Sequence, residues 1–300
     1  MVLTAPPRLL LVHAHPDDES LWTGGTIAAY AARGVQVTLV TCTLGEQGEI
    51  IPAGLARLAA DAADQLGGYR CGELRAACAA LGVTDHRFLG GIGRWRDSGM
   101  AGDPANEHPR AFVRGDRDEQ AAALAEIIAE VRPQVVIGYD AFGGYGHPDH
   151  IRAHQITMAA TVAVSPVPSV SSAPQVARVF HTVLSRRTTE AGVAALAGLP
   201  NLPFRLPERD SLPAVDDELI TTAVDIGDVR AAKLRALRAH ATQLTVFENC
   251  VDGPDRTGRA AFALTDGIAQ PLPDTEYYAL AHGPAEGAET DLFGGLAVVR

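Results

Sequence analysis

The 300-residue chain has no CxxC pair, no excess of basic side chains and no apolar run approaching the ~20 residues needed to cross a bilayer. Its four cysteines, Cys42, Cys71, Cys78 and Cys250, read as buried thiols, and even Cys71 and Cys78 are simply two such residues a couple of helical turns apart. The balance of 25 basic and 36 acidic side chains leaves a net charge of −11. That charge opposes general affinity for nucleic acid or an anionic membrane surface, and it suits a neutral or cationic small-molecule substrate better. The first residues, Met-Val-Leu-Thr-Ala-Pro-Pro, show no basic stretch followed by an apolar one, so a reducing, cytoplasmic location is expected. What the chain does have is 47% hydrophobic residues, enough at this length to bury a full core.

The order of periodic segments predicts an α/β fold. A short apolar run from Arg8 to His13, a helical pattern from Leu21 to Arg33 that stops at Gly34, and a β-branched run from Val35 to Thr41 form a β-α-β opening. Helical patterning returns from Leu55 to Leu81 with a break expected at Gly67-Gly68, and again from Asp116 to Arg132; strands are expected at His86–Leu89 and Val135–Tyr139. This alternation favours a Rossmann-like, mostly parallel sheet flanked by helices over residues 1–165. A stretch from Thr161 to Pro174 without periodicity suggests a surface connection to a smaller C-terminal α/β lobe over residues 175–300. In that lobe Val176–Leu184, Leu219–Ile226 and Glu276–His282 read as strands, Val229–His240 as a helix and Gly253–Gly258 as a loop.

Two motifs stand at the expected carboxyl ends of strands, His13-Ala14-His15-Pro16-Asp17-Asp18-Glu19 and Gly146-His147-Pro148-Asp149-His150. In a doubly wound sheet the strands preceding them lie side by side at the point where strand order reverses, which brings the motifs into one crevice. A catalytic zinc takes three nitrogen or oxygen donors and keeps a further position open, and His15, Asp18 and His150 supply such a set. Fe²⁺ can use the same donors. Asp17 is then free to act as general base, and His147 to stabilise an oxyanion and protonate a departing amine, with Asp149 holding its imidazole and raising its pKa. Gly143, Gly144 and Gly146 let the loop bend close to a substrate, and Tyr145 within it is placed to hydrogen-bond a carbonyl oxygen. His13 points opposite to His15 along a strand and reads as a buried support. His154 mimics half of a HExxH motif, but Ile151 stands where that motif needs Glu, so His154 is left out of the ligand set.

On these two motifs the chain resembles the LmbE-like or PIG-L family of zinc N-deacetylases. Further stretches, Thr43-Leu44-Gly45-Glu46-Gln47-Gly48-Glu49, Asp64 to Arg70, Gly93 to Met100 and His240-Ala241-Thr242-Gln243, are similar to the branch of that family serving mycothiol biosynthesis. The resemblance implies one Zn²⁺ per chain on His15, Asp18 and His150, with Asp17, His147, Asp149 and Tyr145 as the catalytic groups. It also implies Glu49, Arg70 and Asp97 as recognisers of sugar and inositol hydroxyls, with Met100 and Trp95 as candidates for the pocket wall. The implied reaction is hydrolysis of the acetamide of N-acetylglucosaminyl-inositol. Four rivals remain open: an amidase acting on mycothiol S-conjugates, another amino-sugar N-deacetylase of the LmbE-like family, a two-metal hydrolase built on the likeness of His13–Asp18 to HxHxDH, and a sugar-binding protein without catalysis. Glu19 stands where the two-metal motif requires histidine, and a pure binder needs neither Asp17 nor His147.

Overall fold

The computed structural model describes residues 6–163, 176–249 and 260–296. In chain order its elements are β1 (Arg8–His13), α1 (Asp18–Trp22), α2 (Gly24–Ala32), β2 (Gln36–Thr41), α3 (Leu66–Leu81), β3 (Asp85–Phe88), α4 (Arg117–Val131), β4 (Val135–Gly138) and α5 (Pro148–Ala163). There follow β5 (Arg178–Val183), α6 (Arg186–Ala197), β6 (Thr222–Asp225), α7 (Arg230–Ala239), β7 (Thr245–Glu248), β8 (Ala260–Ala263), β9 (Gln270–Pro271) and β10 (Thr275–His282).

Seven strands form one sheet in the order β3-β2-β1-β4-β5-β10-β6, parallel from β3 to β5 and antiparallel at β10. β1 is almost uniformly apolar because both its faces are covered. Leu9 and Leu11 join Ile27, Leu74 and Ala236 in a core on the side of α2, α3 and α7, whereas Leu10 and Val12 join Leu124, Ile128 and Ile156 beneath α4 and α5. β1 pairs with β4 from Leu9↔Val135 to Leu11↔Ile137, so the chain leaves both strands at the same edge of the sheet. This is the strand reversal expected from the sequence, and it is what positions the site.

Several details differ from the sequence expectation. The helical stretch expected from Leu55 is a 3-10 turn, Ala53–Leu58, separated from α3 by irregular chain. Gly67 does not break the helix but lies in its first turn, where a Cβ would come within 2.7 Å of Glu46 Cγ and 2.9 Å of Leu44 Cβ; the glycine serves close packing. Helix α6 and the small antiparallel sheet β7-β8-β9 carried no signal recognised in the sequence. Three strands after residue 175, β5, β10 and β6, continue the main sheet. Arg178, fully buried, ties this edge to the C-terminal segment by donating to the carbonyls of Pro284, Glu286 and Leu292. Helix α5 runs to Ala163, and the rest of the expected connection up to Pro174, the loop at 253–258 and Cys250 lie outside the described residues.

Candidate metal centre and active site

The loop leaving β1 turns sharply into α1, and the turn is strained. Asp17, the residue before α1, has φ 120° and ψ −31°, a conformation that costs a non-glycine residue roughly 1–3 kcal/mol. The conformation is held by polar contacts. The Asp17 N–H donates to Glu19 Oε2 at 3.0 Å, and the Arg70 guanidinium donates to Asp17 Oδ2 at 3.0 Å, to the Gly45 carbonyl at 2.6 Å and to the Pro16 carbonyl. The second loop leaves β4 through three glycines of positive φ. At Gly143 this freedom is required twice, by φ 68° and because a Cβ would sit 2.6 Å from His150 Cβ.

Three acceptor atoms converge between the loops. His15 Nδ1 lies 3.4 Å from Asp18 Oδ2, His150 Nε2 lies 3.3 Å from the same oxygen, and the two nitrogens are 3.3 Å apart. Their tautomers follow from their other contacts. His150 Nδ1 lies 3.1 Å from the Gly143 carbonyl, which can only accept, and His15 Nε2 lies 3.2 Å from Asp149 Oδ2. In the neutral rings the remaining nitrogens therefore carry lone pairs aimed at each other and at a carboxylate. Such a triangle calls for a cation, and its edges match the spacing of about 3.4 Å between donors held tetrahedrally some 2.1 Å from an ion. The surroundings are strongly anionic, and a positive charge there, on a bound cation or on His15 itself, offsets them. Burial disfavours a charged His15, yet Asp97, Asp149 and Asp18 outweigh burial and raise its pKa well above the usual value. Burial likewise opposes ionisation of Asp18, but His150 and His15 hold its carboxyl well below the ordinary range. The donor set fits a divalent metal.

The other expected residues surround this triangle. Burial pushes the pKa of Asp17 up to about 6 against the opposing charge of Arg70, leaving a carboxylate more basic than usual. A nitrogen of His147 lies within 4.8 Å of those of His15 and His150. His147 Nδ1, however, accepts the Asp149 N–H at 3.1 Å, which puts the proton of the neutral ring on Nε2 and argues against its use as a ligand. The expected pairing of the Asp149 carboxylate with His147 is not what the structure has. Asp149 is the second residue of α5, so its N–H meets the His147 ring while its carboxylate turns to His15 and accepts the Ser98 N–H at 2.9 Å. Burial and the neighbouring His15 and His150 lower the pKa of His147 to about 3, the opposite direction to the rise expected from Asp149. Tyr145 is 42% exposed, with its ring centroid 5.0 Å from that of His150. His13 is the buried support expected, bracketed by Tyr139 Oη at 3.1 Å and Thr23 Oγ1 at 2.9 Å, and His154 turns to the Tyr139 carbonyl.

These groups open onto a cavity of about 620 Å³. Glu49, Arg70, Asp97 and Met100 line it, whereas Trp95 packs in the core beside Phe112. The three candidate hydroxyl recognisers are not equally available. Both terminal nitrogens of Arg70 are engaged by the chain itself, and Asp97 accepts the N–H groups of Gln47 and Gly99. Glu49 is exposed at the rim. The far wall comes from residues with no motif around them, among them Leu184, Phe262, Leu264, Pro271 and Tyr277. Lys233 and Glu276, also on the cavity, form a buried ion pair of 2.6 Å. A lysine in a predicted helix and a glutamate in a predicted strand carry no sequence signal of pairing.

Residues 10–161 match the family model PIG-L, described as GlcNAc-PI de-N-acetylase. The chain belongs to the PIG-L family. A PIG-L relative from Actinosynnema mirum, named 1D-myo-inositol 2-acetamido-2-deoxy-alpha-D-glucopyranoside deacetylase, is 68% identical over 296 residues, covering 99% of each chain. A second, from Saccharopolyspora erythraea and named as deacetylase 1 for the same compound, is 61% identical over 306 residues, covering 99% of this chain and 97% of its own. Among solved structures, the N,N'-diacetylchitobiose deacetylase from Pyrococcus horikoshii superposes with a TM-score of 0.51 at 21% identity, covering 78% of this chain and 69% of that one, a likeness of fold. No helix among the described residues is long and apolar enough to cross a membrane.

Proposed function

We propose that this PIG-L protein hydrolyses the acetamide of 1D-myo-inositol 2-acetamido-2-deoxy-α-D-glucopyranoside, releasing the free amine and acetate, as a cytoplasmic step of mycothiol biosynthesis. The observation that carries the reading is the triangle of lone pairs beside a basic Asp17, in a chain 68% identical to a relative named for this reaction. One zinc ion would be held by His15 Nδ1, Asp18 Oδ2 and His150 Nε2, and when bound it supplies Lewis acidity toward water and toward an acyl oxygen.

The chain's own groups do the rest. Arg70 fixes Asp17 by Oδ2, which presents the carboxylate to the cavity as the acceptor of the proton that the attacking water gives up. Asp149 fixes the ring of His15 through Nε2 and so keeps Nδ1 an acceptor. His147 offers Nε2–H to the acyl oxygen as negative charge develops there, the backbone of Asp149 holding its other nitrogen. The proton collected by Asp17 then returns to the leaving nitrogen directly or by way of His147. Tyr145, half-exposed on the glycine-rich loop, adds a second donor at the acyl oxygen. Glu49 at the rim is the recogniser of ring hydroxyls with its carboxylate most available, while Arg70 and Asp97 shape the floor. In this reading the segment 175–300 completes the substrate pocket through the apolar wall it contributes.

The deciding experiment strips the metal, restores zinc or iron separately, and measures acetate release from the pseudodisaccharide beside cleavage of a mycothiol S-conjugate. Zinc-restored turnover with higher kcat/KM on the acetylated compound is expected. A large preference for the conjugate would transfer the assignment to the amidase, and two tightly bound ions both needed for turnover would revive the two-metal reading.

A further inference from the structure

His240 stands far along the chain from the two motifs, at the end of α7, and is neither one of the metal ligands nor one of the groups that face the substrate. It is fully buried, and its Nε2 lies 2.7 Å from Glu19 Oε1. Glu19, also fully buried, uses its other oxygen to accept the Asp17 N–H at 3.0 Å, while Ser20 Oγ donates to Oε1 at 2.5 Å. Glu19 is thus held at one end by a side chain from α7 and holds at the other the peptide N–H of a residue in a disfavoured backbone conformation. Neither Arg70 nor the ligand Asp18 touches the Asp17 N–H; Arg70 governs the side chain and the neighbouring carbonyl. Asp18 is oriented separately, by the His15 N–H at 2.9 Å. The backbone and the carboxylate of Asp17 therefore have different anchors.

We propose that His240 is a positioning residue which, through Glu19, holds the Asp17 backbone at the φ that aims its carboxylate into the cavity. The inference rests on Asp17 as the base. It places the base under the control of α7, the helix packed on α3 and α2, and it gives His240 a part in turnover without contact with substrate. Without the His240 donor, Glu19 is a buried carboxylate with less support, and its hold on the Asp17 N–H slackens.

The test is a double-mutant cycle on the zinc-loaded enzyme with the acetylated pseudodisaccharide. His240→Phe fills the site without a donor, and it should lower kcat by about 10-fold or more, since small misplacements of a catalytic group cost that much, while KM stays within about 2-fold. Zinc per chain should be unchanged. His240→Gln, which restores an N–H, should return kcat to within about 3-fold of the parent. In an Asp17→Asn background His240→Phe should cost nothing further, because the group it positions is already disabled. Parental kcat in His240→Phe, equal impairment in Phe and Gln, or the same fold-loss in the Asp17→Asn background would each overturn the proposal. If His240→Phe fails to fold, His240→Asn replaces it, being one methylene shorter than Gln; equal kcat in Asn and Gln would then overturn it. Parental turnover by Asp17→Asn alone strikes the reading of Asp17 as base, whatever His240 does.

Discussion

Two buried charged clusters border the same cavity and differ in one respect. Around Glu276 every lone pair has a donor. Oε1 accepts Lys233 Nζ at 2.6 Å and the Gly25 N–H at 2.8 Å, while Oε2 accepts the Thr26 N–H at 2.8 Å and Tyr278 Oη at 3.3 Å. Lys233 in turn reaches the Leu21 carbonyl at the end of α1. This cluster is complete and serves the fold, capping α2 and fastening α1 to α7. In the His15, Asp18 and His150 triangle two ring nitrogens converge on one carboxylate oxygen and on each other within 3.4 Å, and with neutral rings no side-chain donor stands between them; the Asp18 oxygen has only the His15 N–H of its own loop. Burial makes such an arrangement costly unless a cation fills it. The contrast teaches that a functional site among buried charges is recognised by ligand atoms that converge on one another rather than each on its own side-chain donor.

That contrast can be broken from either side. Removing a corner of the triangle, by Asp18→Ala or His150→Ala, should abolish stoichiometric metal binding and lower kcat/KM on the order of 10³-fold or more, with the fold retained; metal analysis and steady-state kinetics check it. In the parent protein, chelation should lower the melting temperature and added zinc restore it, whereas neither variant should respond. Lys233→Met does the opposite. It leaves Glu276 a buried charge without its partner and should cost about 3–5 kcal/mol in denaturant unfolding, with the metal content of the folded protein unchanged. Asp17→Asn, beside the triangle but outside it, should keep metal and lower kcat roughly 10²-fold. The smallest effect belongs to an acceptor that water can replace. Asp116 caps α4 by accepting the N–H groups of Asp118 and Glu119, and Asp116→Ala should cost about 1 kcal/mol in stability with no change in kcat/KM.

Much of this is legible in the amino-acid sequence. The central strands announce themselves because a strand covered on both faces must be apolar throughout, as Leu9 to Val12 are. The loops after β1 and β4 were readable because chemistry concentrates titratable groups in a few consecutive residues, and sheet topology brings such loops together. The partnership of Asp149 is not legible in the sequence, because adjacency to His147 says nothing about which way a side chain turns at the first turn of a helix. Gly67 looked like a break because a glycine needed for close packing and one needed for a turn are written with the same letter. The small sheet β7-β8-β9 escaped notice because strands of two to four residues are shorter than any period they could display.

By itself the sequence determined the α/β class, the residues of both motifs and the kind of chemistry they can perform, since composition and periodicity act locally. Only the tertiary structure decided which nitrogen of His15 and His150 carries the lone pair, that Asp149 serves His15, and that Glu19 joins Asp17 to His240. Those are matters of distance and direction, the Asp149–His15 and His240–Glu19 contacts between segments more than a hundred residues apart, and they exist only once the sheet has closed and water has been removed from between them.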